Sequence, residues 1–161
     1  MPGWADRLAG GWDVGSLIVW QSGGPFSILS GRLTTFAQNS YANYSGDRNI
    51  GEVVRQGNGV WFYAQDTTAA QFTFPGAGES GNSGRNAFRG PRYFDTDLSL
   101  VKRFKIWETH AVTFRAEGYN LFNNVNFANP SVSLLTPATF GRISSLAGGP
   151  RIFQLALRYD F

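Results

Sequence analysis

Cysteine is absent from the sequence, which excludes disulfides, thiol chemistry and zinc–cysteine sites. Histidine occurs once, at His110, so it has no second imidazole with which to build a metal centre, and no triad pattern surrounds it. Lysine is found only at Lys102 and Lys105, and methionine only at Met1; strong helix formers are scarce. Charge is scarce too. Charged residues fill 16% of the 161 positions, against roughly a quarter in an ordinary soluble domain. No apolar run approaches the roughly 18 residues of a membrane helix, and stretches such as Leu17-Ile18-Val19-Trp20 are far shorter, so a helical span is excluded. Met1-Pro2-Gly3-Trp4 has neither the basic start nor the apolar core of a signal peptide. If the protein is exported, the exporting segment is expected to lie outside this sequence.

What the chain does have is aromatic side chains: five Trp, six Tyr and fourteen Phe equal the charged residues in share, within a hydrophobic content of 42%. That excludes a disordered chain. Twenty Gly and eleven Asn supply turns, and the composition reads as all-β. The net charge is +3 and the pI near 9.5, but the twelve Arg are dispersed between acids and aromatics. No basic stripe for nucleic acid can be drawn.

Alternation with a period of two predicts four long strands. In 11–21, Trp12, Val14, Ser16, Ile18 and Trp20 oppose Asp13, Gly15, Leu17, Val19 and Gln21. In 92–104, Phe94, Thr96, Leu98 and Leu100 oppose Asp95, Asp97, Ser99, Val101 and Arg103. Residues 105–109 are short enough for a hairpin connection, which pairs that strand antiparallel with 110–122, where Val112, Phe114, Ala116 and Gly118 oppose Thr113, Arg115, Glu117 and Tyr119. The last strand, 150–161, sets Phe153, Leu155, Leu157, Tyr159 and Phe161 against Ile152, Gln154, Ala156, Arg158 and Asp160. Residues 26–36 form a weaker extended piece, so parity alone allows a fifth strand. Residues 37–90 and 123–149 are turn-forming and read as two long loops, the first without regular structure apart from short aromatic islands.

Strands of about ten residues with one apolar face, joined by alternately long and short loops, suit a transmembrane barrel. In such a barrel short turns are periplasmic and long loops extracellular. This places 105–109 in the periplasm and 37–90 and 123–149 outside the cell.

Tyr93 to Phe104, Phe114-Arg-Ala-Glu-Gly-Tyr-Asn-Leu-Phe122 and Arg151-Ile-Phe-Gln-Leu-Ala-Leu-Arg-Tyr-Asp-Phe161 together resemble the C-terminal barrel end of TonB-dependent outer-membrane receptors. Gly11-Trp12, Gln21-Ser-Gly-Gly-Pro-Phe26, Gly84-Arg-Asn-Ala-Phe-Arg-Gly-Pro91 and Thr139-Phe-Gly-Arg-Ile143 are similar to the Oar-type branch, whose full-length members begin with a carboxypeptidase-regulatory-like domain. The resemblance covers nearly the whole chain. It implies a 22-stranded, plugged barrel of which 1–161 is the C-terminal fragment, with 1–10 a periplasmic turn and 150–161 the final strand. It favours four strands over five. A plug and a TonB-contacting segment are missing, so the chain alone is expected to transport nothing. The implied location is the cell outer membrane. The implied partners are the remainder of the barrel and its plug, TonB through the missing part, the barrel assembly machinery and outer-membrane lipid. No cofactor and no enzyme activity are expected.

Three groups of residues are candidates for function. Leu155, Leu157, Tyr159 and Phe161 resemble the C-terminal signal read by the assembly machinery, by strand pairing at an edge, and are equally a lipid-facing strand. Asp95, Asp97, Arg103, Arg115, Glu117, Arg158 and Asp160 share the polar face, which in a barrel is the lumen, and form an expected charge network. Asp95 and Asp97 have no metal ligand nearby and read as part of that network, not as a catalytic pair. Trp61, Phe62 and Tyr63, in the long loop, can either stack on a nutrient such as a siderophore or glycan or pack on one another. Two competing readings remain open at this stage. One is a soluble β-sandwich that binds carbohydrate; the other is a small barrel assembled from several copies.

Overall fold

The computed structural model describes residues 9–35, 39–64 and 68–161. Its strands, in chain order, are β1 (Trp12–Gln21), β2 (Pro25–Phe26), β3 (Asn43–Tyr44), β4 (Val54–Gln56), β5 (Gly59–Trp61), β6 (Phe72–Thr73), β7 (Phe88–Arg89), β8 (Tyr93–Lys105), β9 (Ala111–Tyr119), β10 (Arg142–Ile143) and β11 (Ile152–Asp160). The fold is all-β, and every strand pair with a defined register is antiparallel. The chain divides into two compact units.

The first unit takes the chain up to Trp20 together with Phe94–Val125 and Gly149–Phe161. It is a four-stranded sheet in the order β1-β8-β9-β11, a meander of the four long strands. The expected hairpin is present, with Ile106 and Trp107 both donating their amides to the His110 carbonyl (2.9 and 3.3 Å). Register follows from the pairing of Leu100 with Ala116 on β8–β9 and of Leu155 with Ala116 on β9–β11. Residues that face each other across strands lie on one side of the sheet, so Leu98, Leu100, Phe104, Val112, Phe114, Phe153, Leu155, Leu157 and Tyr159 share a face. This is the partition the alternation predicts.

The second unit comprises Gln21–Tyr93 and Asn126–Gly148. It corrects the expectation that 37–90 lacks regular structure. Three small sheets form here, β10-β5-β4, β2-β7 and β3-β6, around a core of Phe26, Ile28, Tyr44, Phe62, Tyr63, Phe72, Phe88, Leu134, Phe140 and Ile143. The rings pack edge-on and stacked: Tyr44 on Phe72 at 4.5 Å, Phe72 on Phe88 at 5.5 Å and Tyr63 on Phe140 at 5.9 Å. The two long connections are therefore one folded body, since Leu134, Phe140 and Ile143 come from the second of them. Backbone bonds join them as well, from Leu29 N to Val132 O (3.0 Å) and from Phe62 N to Gly141 O (2.7 Å). Gly141, at φ +80°, is needed for that contact, because a Cβ there would stand 2.8 Å from Tyr63 Cβ. The physical reason for the difference is that aromatic residues too irregularly spaced to mark a strand can still bury one another once turns bring them together.

Of the piece at 26–36, only Phe26 lies in a strand, and Leu29 forms isolated bridges with Tyr41 and Ser133; Phe36 lies outside the described residues. The expected turn at 1–10 also lies outside them, apart from positions 9 and 10.

Candidate functional site

The core of this protein is in its connections. None of the residues clustered in the buried hydrophobic core belongs to the four-stranded sheet. The sheet instead leaves the large apolar side chains of its outer strands open, among them Trp20, Phe153, Leu155 (72% exposed) and Leu157 (74%). An apolar surface of this extent marks a protein or membrane contact. Its chemistry is layered. Trp12 and Trp20 close the two ends of β1, Phe94 and Phe104 those of β8, and Phe153 and Tyr159 those of β11, with Val14, Ile18, Leu98, Leu100, Leu155 and Leu157 between them. The two tryptophans are about 26 Å apart along the strand at ~3.3 Å per residue, close to the roughly 25 Å apolar band that aromatic girdles flank in outer-membrane barrels. Trp12 is placed on this face by its ring, which meets Phe114 edge-on at 6.3 Å.

One charge interrupts the apolar face, and the sequence pattern gave no hint of how it is accommodated. Lys102 pairs with Phe114 across β8–β9, yet it is only 2% exposed. Its ammonium lies 5.2 Å from the ring centres of both Trp12 and Phe104 and donates to the Gly10 carbonyl. Two ring faces and a carbonyl thus replace water around the cation.

The polar face carries the predicted charges, and the structure brings most of them together at the hairpin end. Arg158 Nε donates to Asp160 Oδ1 at 2.7 Å, Arg103 stands 4.0 Å from the other Asp160 oxygen, and Arg115 pairs with Glu117 at 3.7 Å. Arg103, Arg115, Arg158, Asp160, Thr113 and Ala156 line a hollow of about 600 Å³. Asp95 and Asp97 lie further along β8. Asp95 accepts the Thr96 amide (2.9 Å) and Asp97 the Asn120 amide (3.0 Å), so Asp97 serves the backbone of the next strand's exit.

Asn120 is the position that pattern reasoning passed over. It is buried, has φ +48° and follows β9 directly. Its side-chain amide donates to the carbonyls of Asn124 (3.0 Å) and Gly149 (2.9 Å), and its side-chain oxygen accepts the Asn124 amide (2.8 Å). Asparagine tolerates the left-handed backbone that a strand exit of this kind needs. The only signal in the sequence was its place in the Asn120-Leu121-Phe122 motif.

Of the aromatic loop candidates, Phe62 and Tyr63 are buried in the core of the second unit, and Trp61 is half-buried with its indole N–H donating to Gln56 O (3.2 Å). Self-packing accounts for Phe62 and Tyr63, and neither ring has a face left for a ligand. Burial, followed by the nearby Tyr44, pushes the Tyr63 phenol far above its ordinary value; burial and then Asp47 raise Tyr44. Phe161 is almost fully exposed and stacks on Tyr159 at 6.2 Å.

A single-layered antiparallel sheet with strands of 9 to 13 residues, an open apolar face banded by aromatics and a charged reverse face is a wall of a transmembrane β-barrel. No helix among the described residues is long and apolar enough to cross a membrane, and barrels cross with strands. The chain belongs to the family described as outer membrane beta barrel domain, whose model matches residues 1–154. Its location is the outer membrane. Comparison with curated proteins and with solved structures gives no match.

Proposed function

We propose that this chain is the C-terminal barrel segment of a TonB-dependent outer-membrane receptor of the Oar-like branch, which imports a bulky nutrient with energy delivered through TonB. The observation that carries the membrane part is the inversion of burial: Leu155 and Leu157 of the sheet are open while Phe62, Tyr63, Phe72 and Phe88 of the connections are closed. Transfer of one exposed leucine from water to lipid contributes about 1.5–3 kcal/mol, so the sheet gains in a bilayer what a soluble domain gains from a core. A soluble sandwich would cover Leu155 and Leu157 with a second sheet, and among the described residues nothing covers them.

The receptor part is supported by the order of the motifs along the chain and by the sheet's two ends. Among the described residues β1 and β11 each have a strand on one side only, which suits a segment whose neighbours are the remainder of the barrel. In this reading the hollow lined by Arg103, Arg115 and Arg158 faces the lumen and contacts the plug. The second unit stands outside the cell, and the strand ending Leu155-Ala-Leu-Arg-Tyr-Asp-Phe161 is the segment the assembly machinery engages. The role is transport, with no enzymatic step and no nucleic acid. The test is to sequence the source genome upstream of the Met1 codon. An uninterrupted frame encoding a plug and further strands supports the receptor; a stop codon and a ribosome-binding site directly before Met1 contradict it.

A further inference from the structure

The second unit contains a hollow that the receptor reading leaves unused. It has a volume of about 660 Å³ and is formed where β3 and β6 meet the segment 78–82. This is within the range of sites that hold a small ligand. Its walls are fixed by backbone pairing. Asn43 and Tyr44 pair with Thr73 and Phe72, Tyr41 N donates to Ser80 O (2.9 Å), and Ser83 N donates to Ala42 O (3.1 Å).

Three carboxamides line this space, and two of them have their oxygens occupied by backbone amides. Asn82 Oδ1 accepts the Tyr44 amide at 2.7 Å and Asn43 Oδ1 accepts the Asn82 amide at 3.1 Å, whereas the Tyr44 hydroxyl donates to Asp47 O at 2.8 Å and lies 3.3 Å from Gln71 Oε1. An amide whose oxygen is engaged retains its NH₂ group, two donors each. Ser45, Thr73 and Ser80 line the same space, and a hydroxyl both donates and accepts. Glu79 contributes a carboxylate, one oxygen of which accepts the Gly76 amide (2.8 Å). No lysine or arginine is in the lining; Arg48 reaches only the Asn82 carbonyl, at 3.4 Å.

From this donor set we propose that the hollow binds a neutral saccharide. Fixed amide donors beside hydroxyls match a ligand whose every hydroxyl both donates and accepts, and Glu79 can accept from two of them. The carboxylate, without a cation in the lining, repels phosphates, carboxylates and acidic sugars. A largely preformed wall also lowers the ordering cost of a weak, polar ligand. The proposal rests on the reading of the chain as part of a receptor for a bulky nutrient, and gives that nutrient a chemical class.

The test uses the full chain in detergent micelles with isomaltotriose as probe and trigalacturonate as its anionic counterpart of similar size, each at millimolar concentration, read by saturation-transfer NMR. Two variants separate binding from folding. Asn82→Asp and Asn43→Asp keep the oxygen that accepts the Tyr44 or Asn82 amide and replace each NH₂ donor pair by a charged acceptor oxygen. The expected result is transfer to isomaltotriose, none to trigalacturonate, and affinity about fivefold weaker in each variant with an unchanged circular-dichroism spectrum. No transfer to isomaltotriose, equal transfer in wild type and both variants, or preference for trigalacturonate overturns the proposal. Insertion of the same samples into lipid vesicles is followed in parallel. Insertion without saccharide binding overturns the saccharide site alone, whereas variant-sensitive binding by a chain that stays out of lipid upholds the site and contradicts the receptor.

Discussion

The side-chain amide of Asn120 donates to the carbonyl of Gly149 across 2.9 Å, so the residue that leaves β9 holds the chain three positions ahead of β11. The same side chain also makes two bonds to Asn124, and its own amide is held by Asp97 on β8. Three strands of the sheet therefore meet at one buried asparagine, and the long connection between β9 and β11 begins and ends there.

Replacing Asn120 by alanine removes three side-chain hydrogen bonds, leaves the Asn124 and Gly149 carbonyls without this donor and keeps an unfavourable positive φ. The expected loss is about 2–4 kcal/mol. Asn120→Asp is expected to be as damaging, because a carboxylate then faces the Asn124 and Gly149 carbonyls and Asp97. Denaturant titration of the refolded chain in micelles measures both; a loss below 1 kcal/mol (about fivefold in the folding equilibrium) contradicts the clamp.

Tyr63 gives the opposite prediction. Its hydroxyl is buried and has no hydrogen-bond partner among the described residues, so Tyr63→Phe is expected to be neutral or to stabilise the second unit by up to about 1 kcal/mol, whereas Tyr63→Ala costs about 3–5 kcal/mol. The pH dependence follows from the raised phenol. The folded state holds this proton above the ordinary value of 10.0, so the contribution is complete below pH 10 and is lost as pH rises beyond it. Tyr63→Phe should therefore unfold later on the alkaline side, as followed by tyrosinate absorbance and circular dichroism in one titration.

Much of the sheet was legible. Alternation in 92–104 and 150–161 placed Leu100, Leu155 and Leu157 on one side and Arg103, Arg158 and Asp160 on the other, because a strand imposes a strict period of two whatever its solvent. The second unit was not legible, since Phe26, Tyr63, Phe88 and Phe140 come together through turns and a core made by such contacts has no period. Two motifs noted only for their resemblance do meet in space: Gln21-Ser-Gly-Gly-Pro-Phe26 and Gly84-Arg-Asn-Ala-Phe-Arg-Gly-Pro91 pair through Pro25–Arg89 and Phe26–Phe88. The amide donors at Asn43 and Asn82 were invisible for the same reason, one standing on β3 and the other in the connection at 78–82.

That pairing yields a further prediction. A Cβ on Gly23 would stand 1.7 Å from the Gly90 carbonyl oxygen, so Gly23→Ala must push the two motifs apart. A cost of about 1–3 kcal/mol is expected, localised to the second unit. Hydrogen exchange should show faster exchange at the Gly90 amide, which donates to Gly24 O at 3.0 Å, with β8–β9 amides unchanged.

The ion pairs of the polar face should matter little to stability. Arg103 and Arg158 are exposed, and pairs of this kind contribute about 0–1 kcal/mol. Asp160→Asn is accordingly expected to leave folding in micelles within 1 kcal/mol of wild type. Deleting Phe161 should instead lower the amount assembled in the outer membrane, measured by heat-modifiable mobility on gels; unchanged assembly contradicts its part in the terminal signal.

The central claim is that the face bearing Leu155 meets lipid and the face bearing Ala156 does not. Residues 1–161 contribute no cysteine, so once any cysteines elsewhere in the full reading frame are replaced by serine, single cysteines at Leu155 and Ala156 can each be labelled in outer membranes of cells expressing it. The account predicts that Leu155→Cys is protected from a charged maleimide in the membrane and modified only after denaturation in detergent, because the thiolate is the reactive form and does not form in lipid, whereas Ala156→Cys is modified in the membrane. Equal modification of both sites by the charged reagent would contradict it.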